Sequence, residues 1–157
     1  MSKRVFVLGL GAQKAGTSWF YRYLDACECV TFGDVKEHHV WDVVQDADLF
    51  KQFNVTEQVL FRKRDSDRLP RLRLRYAMQK IDGVYGSYFR NLVDRAGARM
   101  TGDLTPSYAG LSAKTLTHIR DELGLSEIHT ANPLQAALTS GATFSVAAAV
   151  PVLAAFL

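Results

Sequence analysis

The stretch Gly11 to Ser18, GAQKAGTS, does more than any other to limit how this chain can fold. It follows an apolar run, Val5 to Leu10, and opens into Trp19-Phe20-Tyr21. The run lacks the alternation of a half-exposed strand, so it is read as a strand covered on both faces. Thr17 to Ala26 then sets Trp19, Phe20, Tyr23 and Leu24 at helical spacing, which predicts a helix packed back onto that strand. A strand, a glycine-bearing turn and a helix in succession bring backbone N–H groups and a positive helix end to one point, where an anion can sit.

Length and charge set the frame for that unit. A chain of 157 residues is expected to form one domain with its own core. With 48% apolar and 22% charged residues it has a globular balance. The formal net charge of +3 suits an anionic ligand, and without a dense basic module it does not call for nucleic acid. Cys27 and Cys29 are the only cysteines. One residue apart, they would close too strained a ring, which favours a reducing, cytoplasmic setting. A zinc site adding His38 and His39 fails on spacing, so no metal is expected. Met1 to Ala12 resembles a signal peptide in its Lys3-Arg4 and apolar run, but no cleavage site follows it.

Further along, Val30 to Val35 could supply a short second strand, and Lys36 to Asp42 reads KEHHVWD. That segment combines cations, a base and an apolar shelf; the plain alternative is a solvated turn entering a helix. Val40 to Phe53 carries Val40, Val43, Val44, Ala47 and Phe50 on one side and Asp42, Gln45, Asp46 and Lys51 largely opposite, which predicts an amphipathic helix. Arg62 to Tyr76 holds seven Arg or Lys. It reads either as an anion-gathering stretch or as a solvent-facing helix with Leu69, Leu72 and Tyr76 inward. Tyr85 to Val93 predicts a helix ending near Gly97, and Arg99 to Leu104 a strand stopped by Thr105-Pro106-Ser107-Tyr108. Ser112 to Leu123 predicts another helix, with Ser112 as N-cap and Gly124 as its stop.

Three of these stretches resemble one family. Gly11 and Gly16 have Walker A spacing, but Lys14 lies inside the loop rather than directly after Gly16. In that placement GAQKAGTS resembles the 5'-phosphosulfate loop of the sulfotransferases that use 3'-phosphoadenosine 5'-phosphosulfate (PAPS). KEHHVWD is similar to the Lys-Glu-x-His-aromatic-aromatic-Asp motif of the heparan-sulfate type and its bacterial relatives, with Val40 in place of the first aromatic. GDLTPSYAGL, Gly102 to Leu111, resembles their Gly-acid-x-Thr-Pro-Ser-Tyr segment, with Leu104 in place of a lysine. The likeness spans roughly residues 3 to 124. Beyond it, Asn132 and Pro133 match an Arg-Asn-Pro-x-x-Arg-x-x-Ser segment in which Ala131, Ala136 and Thr139 replace the phosphate-holding residues.

The resemblance implies an α/β fold, a P-loop-like parallel sheet flanked by helices and incomplete at its carboxyl end. It implies sulfuryl transfer from PAPS to a hydroxyl or amine on a small-molecule or saccharide acceptor. Glu37 would be the base, Lys14 would stabilise charge on the bridging oxygen, and Ala15, Gly16, Thr17 and Ser18 with Lys14 would hold the 5'-phosphate. The alternatives are a truncated, inactive remnant of such an enzyme, or a P-loop nucleotide kinase or NTPase. Residues 1–127 are expected to be the family's amino-terminal part. Residues 128–157 contain no Asp, Glu, Lys or Arg and are expected to be an aberrant tail. With only fourteen uninterrupted apolar residues at its end, that tail is not expected to span a membrane.

Overall fold

The computed structural model describes residues 4–11, 14 and 16–124. The chain divides into two units, Met1–Leu125 and Ser126–Leu157. The second unit lies outside the described residues, as do Ala15, the expected boundary after residue 127 and the expected tail.

Two parallel strands form the sheet: β1 (Val5–Leu8) and β2 (Met100–Asp103), paired in register from Val5 with Met100 to Leu8 with Asp103. The strands approach so closely at Val7 and Gly102 that a Cβ on Gly102 would overlap the Val7 carbonyl oxygen, which leaves glycine as the residue that fits. Between them run five helices: α1 (Thr17–Asp25), α2 (Trp41–Gln45), α3 (Glu57–Arg62), α4 (Leu69–Lys80) and α5 (Val84–Ala96). After β2 come a 3-10 turn (Pro106–Gly110) and α6 (Ala113–Leu123). Val30 forms a single parallel bridge to Met100 in place of the second strand expected over Val30 to Val35.

Local signals set the element ends. The Ser112 hydroxyl accepts from the Thr115 N–H at the start of α6, and Gly124 closes that helix in the left-handed conformation. Gly97 does the same for α5. Pro70 sits in the first turn of α4, where its missing N–H costs no helical hydrogen bond, so it starts a helix in the basic stretch. The inward side of α4 lies further along than expected, at Leu74, Met78 and Gln79.

The core is Val40, Trp41, Met78, Tyr85, Phe89, Tyr108 and Ile119, with Phe6 and Leu8 of β1 packed against it. The Phe6 ring meets Phe89 edge-on at 4.9 Å. Two packing expectations are corrected. β1 is not covered on both faces, since Val5 is exposed. α1 does form where its periodicity predicts it, yet none of its residues is buried; Trp19 and Tyr23 stack on each other in solvent. Helical spacing defines an apolar face but does not supply the surface that covers it.

Candidate functional site

At the carboxyl ends of β1 and β2 the chain gathers its buried polar groups. Asp103 closes β2 with its carboxylate fully buried. Oδ1 accepts from the Thr105 hydroxyl at 2.5 Å and the His38 N–H at 3.3 Å; Oδ2 accepts from the Tyr108 hydroxyl at 2.9 Å and the Tyr85 hydroxyl at 3.1 Å. The Tyr108 oxygen in turn accepts from the Val40 and Trp41 N–H groups. One carboxylate thereby fixes the segment after residue 36 to the strand end. Burial pushes both phenols well above their ordinary range, and the Asp103 charge adds to it, so they remain donors.

Asp42 is a second buried anchor, though its periodicity had placed it on the polar side of a helix. Its carboxylate accepts from the Ser107 hydroxyl at 2.6 Å and the Val43 N–H at 2.9 Å, and lies 2.7 Å from His39 Nδ1. His39 adopts a left-handed backbone (φ 51°) and stacks flat on Phe53, with ring centroids 3.4 Å apart. Its Nε2 lies 3.5 Å from Glu37 Oε2.

Of the residues expected to act, the structure brings Thr17, Ser18 and Glu37 together through one that was not singled out. The Lys36 ammonium donates to Thr17 Oγ1 at 3.2 Å, Ser18 Oγ at 3.1 Å and Glu37 Oε1 at 2.7 Å. Arg75 donates to the Glu37 carbonyl at 3.3 Å from the half-buried side of α4. Gly16, left-handed at φ 78°, caps α1; Lys14 is exposed and also left-handed; Ala15 lies outside the described residues. A lysine between two hydroxyls at the positive end of a helix can accept an anion. Among the described residues no cluster of His, Cys, Asp and Glu could hold a metal ion.

The signal that could have found Lys36, Asp42 and Asp103 was polarity in the wrong place. Asp42 and Asp103 are ionisable residues beside core positions, Lys36 lies four residues from both Phe32 and Val40, and Asp103 precedes the hydroxyl-bearing segment Thr105 to Tyr108. Arg75 carried no such signal, being one cation among seven.

The buried groups make stability depend on pH. Burial pushes the His38 imidazole below its ordinary value of 6.5, against the pull of the Asp103 carboxylate. For Asp42, burial pushes up, but hydrogen bonds from His39 and Ser107 outweigh it and hold the group below 3.8. In both cases the unfolded chain binds protons first on acidification, so stability falls. His38 stays neutral in the fold, and its contribution is complete above about pH 6.5 and declines below it; that of ionised Asp42 is lost only below the ordinary carboxylate range. Denaturant stability followed across pH should fall in two phases, and His38→Phe should remove the upper one. A flat profile through the upper window would refute the assignment.

A family model, that of the VIT family, matches residues 74–157, more than half of the chain. No curated protein and no solved structure matches. The match includes the GDLTPSYAGL stretch and all of 128–157, while GAQKAGTS and KEHHVWD lie outside it. It overturns the identification with the sulfotransferases, and with it the readings as a PAPS-dependent transferase, an inactive remnant of one, or a P-loop kinase or NTPase. It equally corrects the cytoplasmic setting and the expectation of no membrane span.

The physical reason lies in residues 128–157. Alanine at 131 and 136 looked like a lost phosphate grip, but freedom from Lys and Arg is what a bilayer core demands. Counting uninterrupted apolar residues also set the wrong criterion. Thr139, Ser140, Gly141, Thr143 and Ser145 are small side chains of the kind that membrane-embedded segments accept, whereas a charge would interrupt them.

Proposed function

Since the chain belongs to the VIT family of vacuolar iron transporter-like membrane proteins, we propose that it acts at a membrane in the movement of a metal ion. The observation that carries this reading is the match over 74–157, whose last thirty residues carry no formal charge. A stretch that long exceeds the roughly 20 residues that a bilayer core requires. No described helix is long and apolar enough to cross a membrane.

The metal ion is cargo. The described residues hold no cluster to ligate it, and the buried carboxylates are committed to neighbours, Asp103 to two phenols and Asp42 to His39 and Ser107, as the half-buried Glu37 is to Lys36. Their part is to keep the unit rigid.

The test is uptake. The full chain reconstituted into liposomes holding an iron-sensitive dye should make external ferrous ion quench the dye faster than it does in empty liposomes. Uptake no faster than that of empty liposomes, from protein shown to be inserted, refutes the transport reading.

A further inference from the structure

The corner between α3 and α4 concentrates the chain's charge. Seven of its nineteen cationic side chains and two of its sixteen acids lie between 62 and 75, so this segment carries +5 and the other residues together −2. The net charge of +3 is therefore the property of one place. Arg62, Lys63, Arg64, Arg68, Arg71 and Arg73 are all exposed. Among the described residues only Arg64, to Asp65 at 3.4 Å, and Arg71, to Asp34 at 3.8 Å, meet a carboxylate in this stretch.

The backbone explains why the cations crowd. α3 ends at Arg62, and the chain turns at once, with the Ser66 N–H donating to the Lys63 carbonyl and the Leu69 N–H to that of Ser66. Arg62 to Arg68 is thus folded into a compact corner before α4 begins. Arg68 is the N-cap of α4, Arg71 lies in its first turn, and that turn has no acid. Cations at the positive end of a helix, beside other cations, are placed against their own stability. An external anion would offset that repulsion.

One aromatic side chain stands in the same corner. Phe61 is 71% exposed, with the Arg64 guanidinium 5.1 Å from its ring centroid. Exposed cations around an exposed aromatic fit a headgroup layer, where the ring reaches the acyl boundary and the cations meet phosphate and carboxylate.

We propose that the α3–α4 corner docks on an anionic lipid surface, through Arg62, Lys63, Arg64, Arg68 and Arg73 with Phe61 inserted. This rests on the reading of the chain as a membrane protein, which favours lipid over an anionic polymer such as RNA.

Flotation of the full chain with vesicles tests it, comparing phosphatidylcholine alone with vesicles about one-third phosphatidylserine, at about 0.1 M and about 1 M salt. Partition should be at least about tenfold stronger to the anionic vesicles at low salt, and the preference should vanish at high salt. The triple variant Lys63→Glu, Arg68→Glu, Arg73→Glu should lose the preference yet float with neutral vesicles as the parent does. These side chains are exposed, and the salt arm needs no variant, so misfolding cannot mimic the result. Equal flotation with both vesicles leaves the membrane reading standing and overturns the docking surface. A triple variant that keeps the preference overturns it as well, as does a corner that binds RNA but no anionic lipid. Failure to float with any vesicle sinks both readings.

Discussion

Asp103→Ala should destabilise the unit containing residues 4–124 by about 3 to 5 kcal/mol, a large share of the roughly 5 to 15 kcal/mol that holds an ordinary domain together. The carboxylate is fully buried and accepts from the Tyr85 and Tyr108 hydroxyls, the Thr105 hydroxyl and the His38 N–H. Its removal leaves those donors without their acceptor in the core, and each unsatisfied group costs about 1 to 3 kcal/mol. Because Tyr108 also receives the Val40 and Trp41 N–H groups, the loss should spread to α2. Asp103→Asn keeps the shape and one acceptor oxygen and should cost less. Denaturant unfolding of the full chain in detergent, followed by near-ultraviolet circular dichroism of the buried tyrosines, measures both. Equal, small losses for Ala and Asn would show that the network is solvated and does not hold the strand end.

Which parts of this architecture are legible in the residues depends on how local their causes are. The Ser112 and Gly124 caps of α6 and the Gly97 stop of α5 are set within one turn of chain, and those ends fall where expected. The faces of the helix expected over Val40 to Phe53 are reversed at two positions, with Asp42 buried and Val44 exposed, and the helix stops at Gln45. There Asp46 leaves the helical conformation (φ −150°, ψ 89°) and its carboxylate accepts from the Leu49 N–H, a local bond that competes with the helix.

The site shows the same division. Thr17 and Ser18 are legible as the start of a helix after a glycine turn, because that is a local feature, whereas their meeting with Glu37 runs through Lys36 and is not. That Lys36 joins them, and that Asp42 turns inward to Ser107, depends on contacts across 18 or 19 and 65 positions of sequence, to which no spacing rule gives access. Short motifs were also the wrong basis for identity. Three likenesses of seven to ten residues each name a geometry of loop and strand end, which many chemistries share. The family match extends over 74–157 and includes the uncharged run that those motifs left unexplained.

That run carries the second large effect. Ala148→Arg should remove the chain from the membrane, because 148 lies near the middle of the uncharged residues 138–157. An arginine at the centre of a membrane segment costs about 2.5 to 3.5 kcal/mol on insertion scales. At about 1.4 kcal/mol per factor of ten, that is roughly a hundredfold shift in partition. The segment has little margin to absorb it, because alanine, threonine, serine and glycine contribute far less to insertion than leucine or isoleucine would. Ala148→Leu moves the balance the other way and should leave retention intact or improved. Alkaline carbonate extraction of membranes from cells expressing the full chain reads the outcome: the parent and the leucine variant should stay in the pellet, and the arginine variant should move to the supernatant or be degraded. An arginine variant retained as fully as the parent would place the membrane attachment elsewhere.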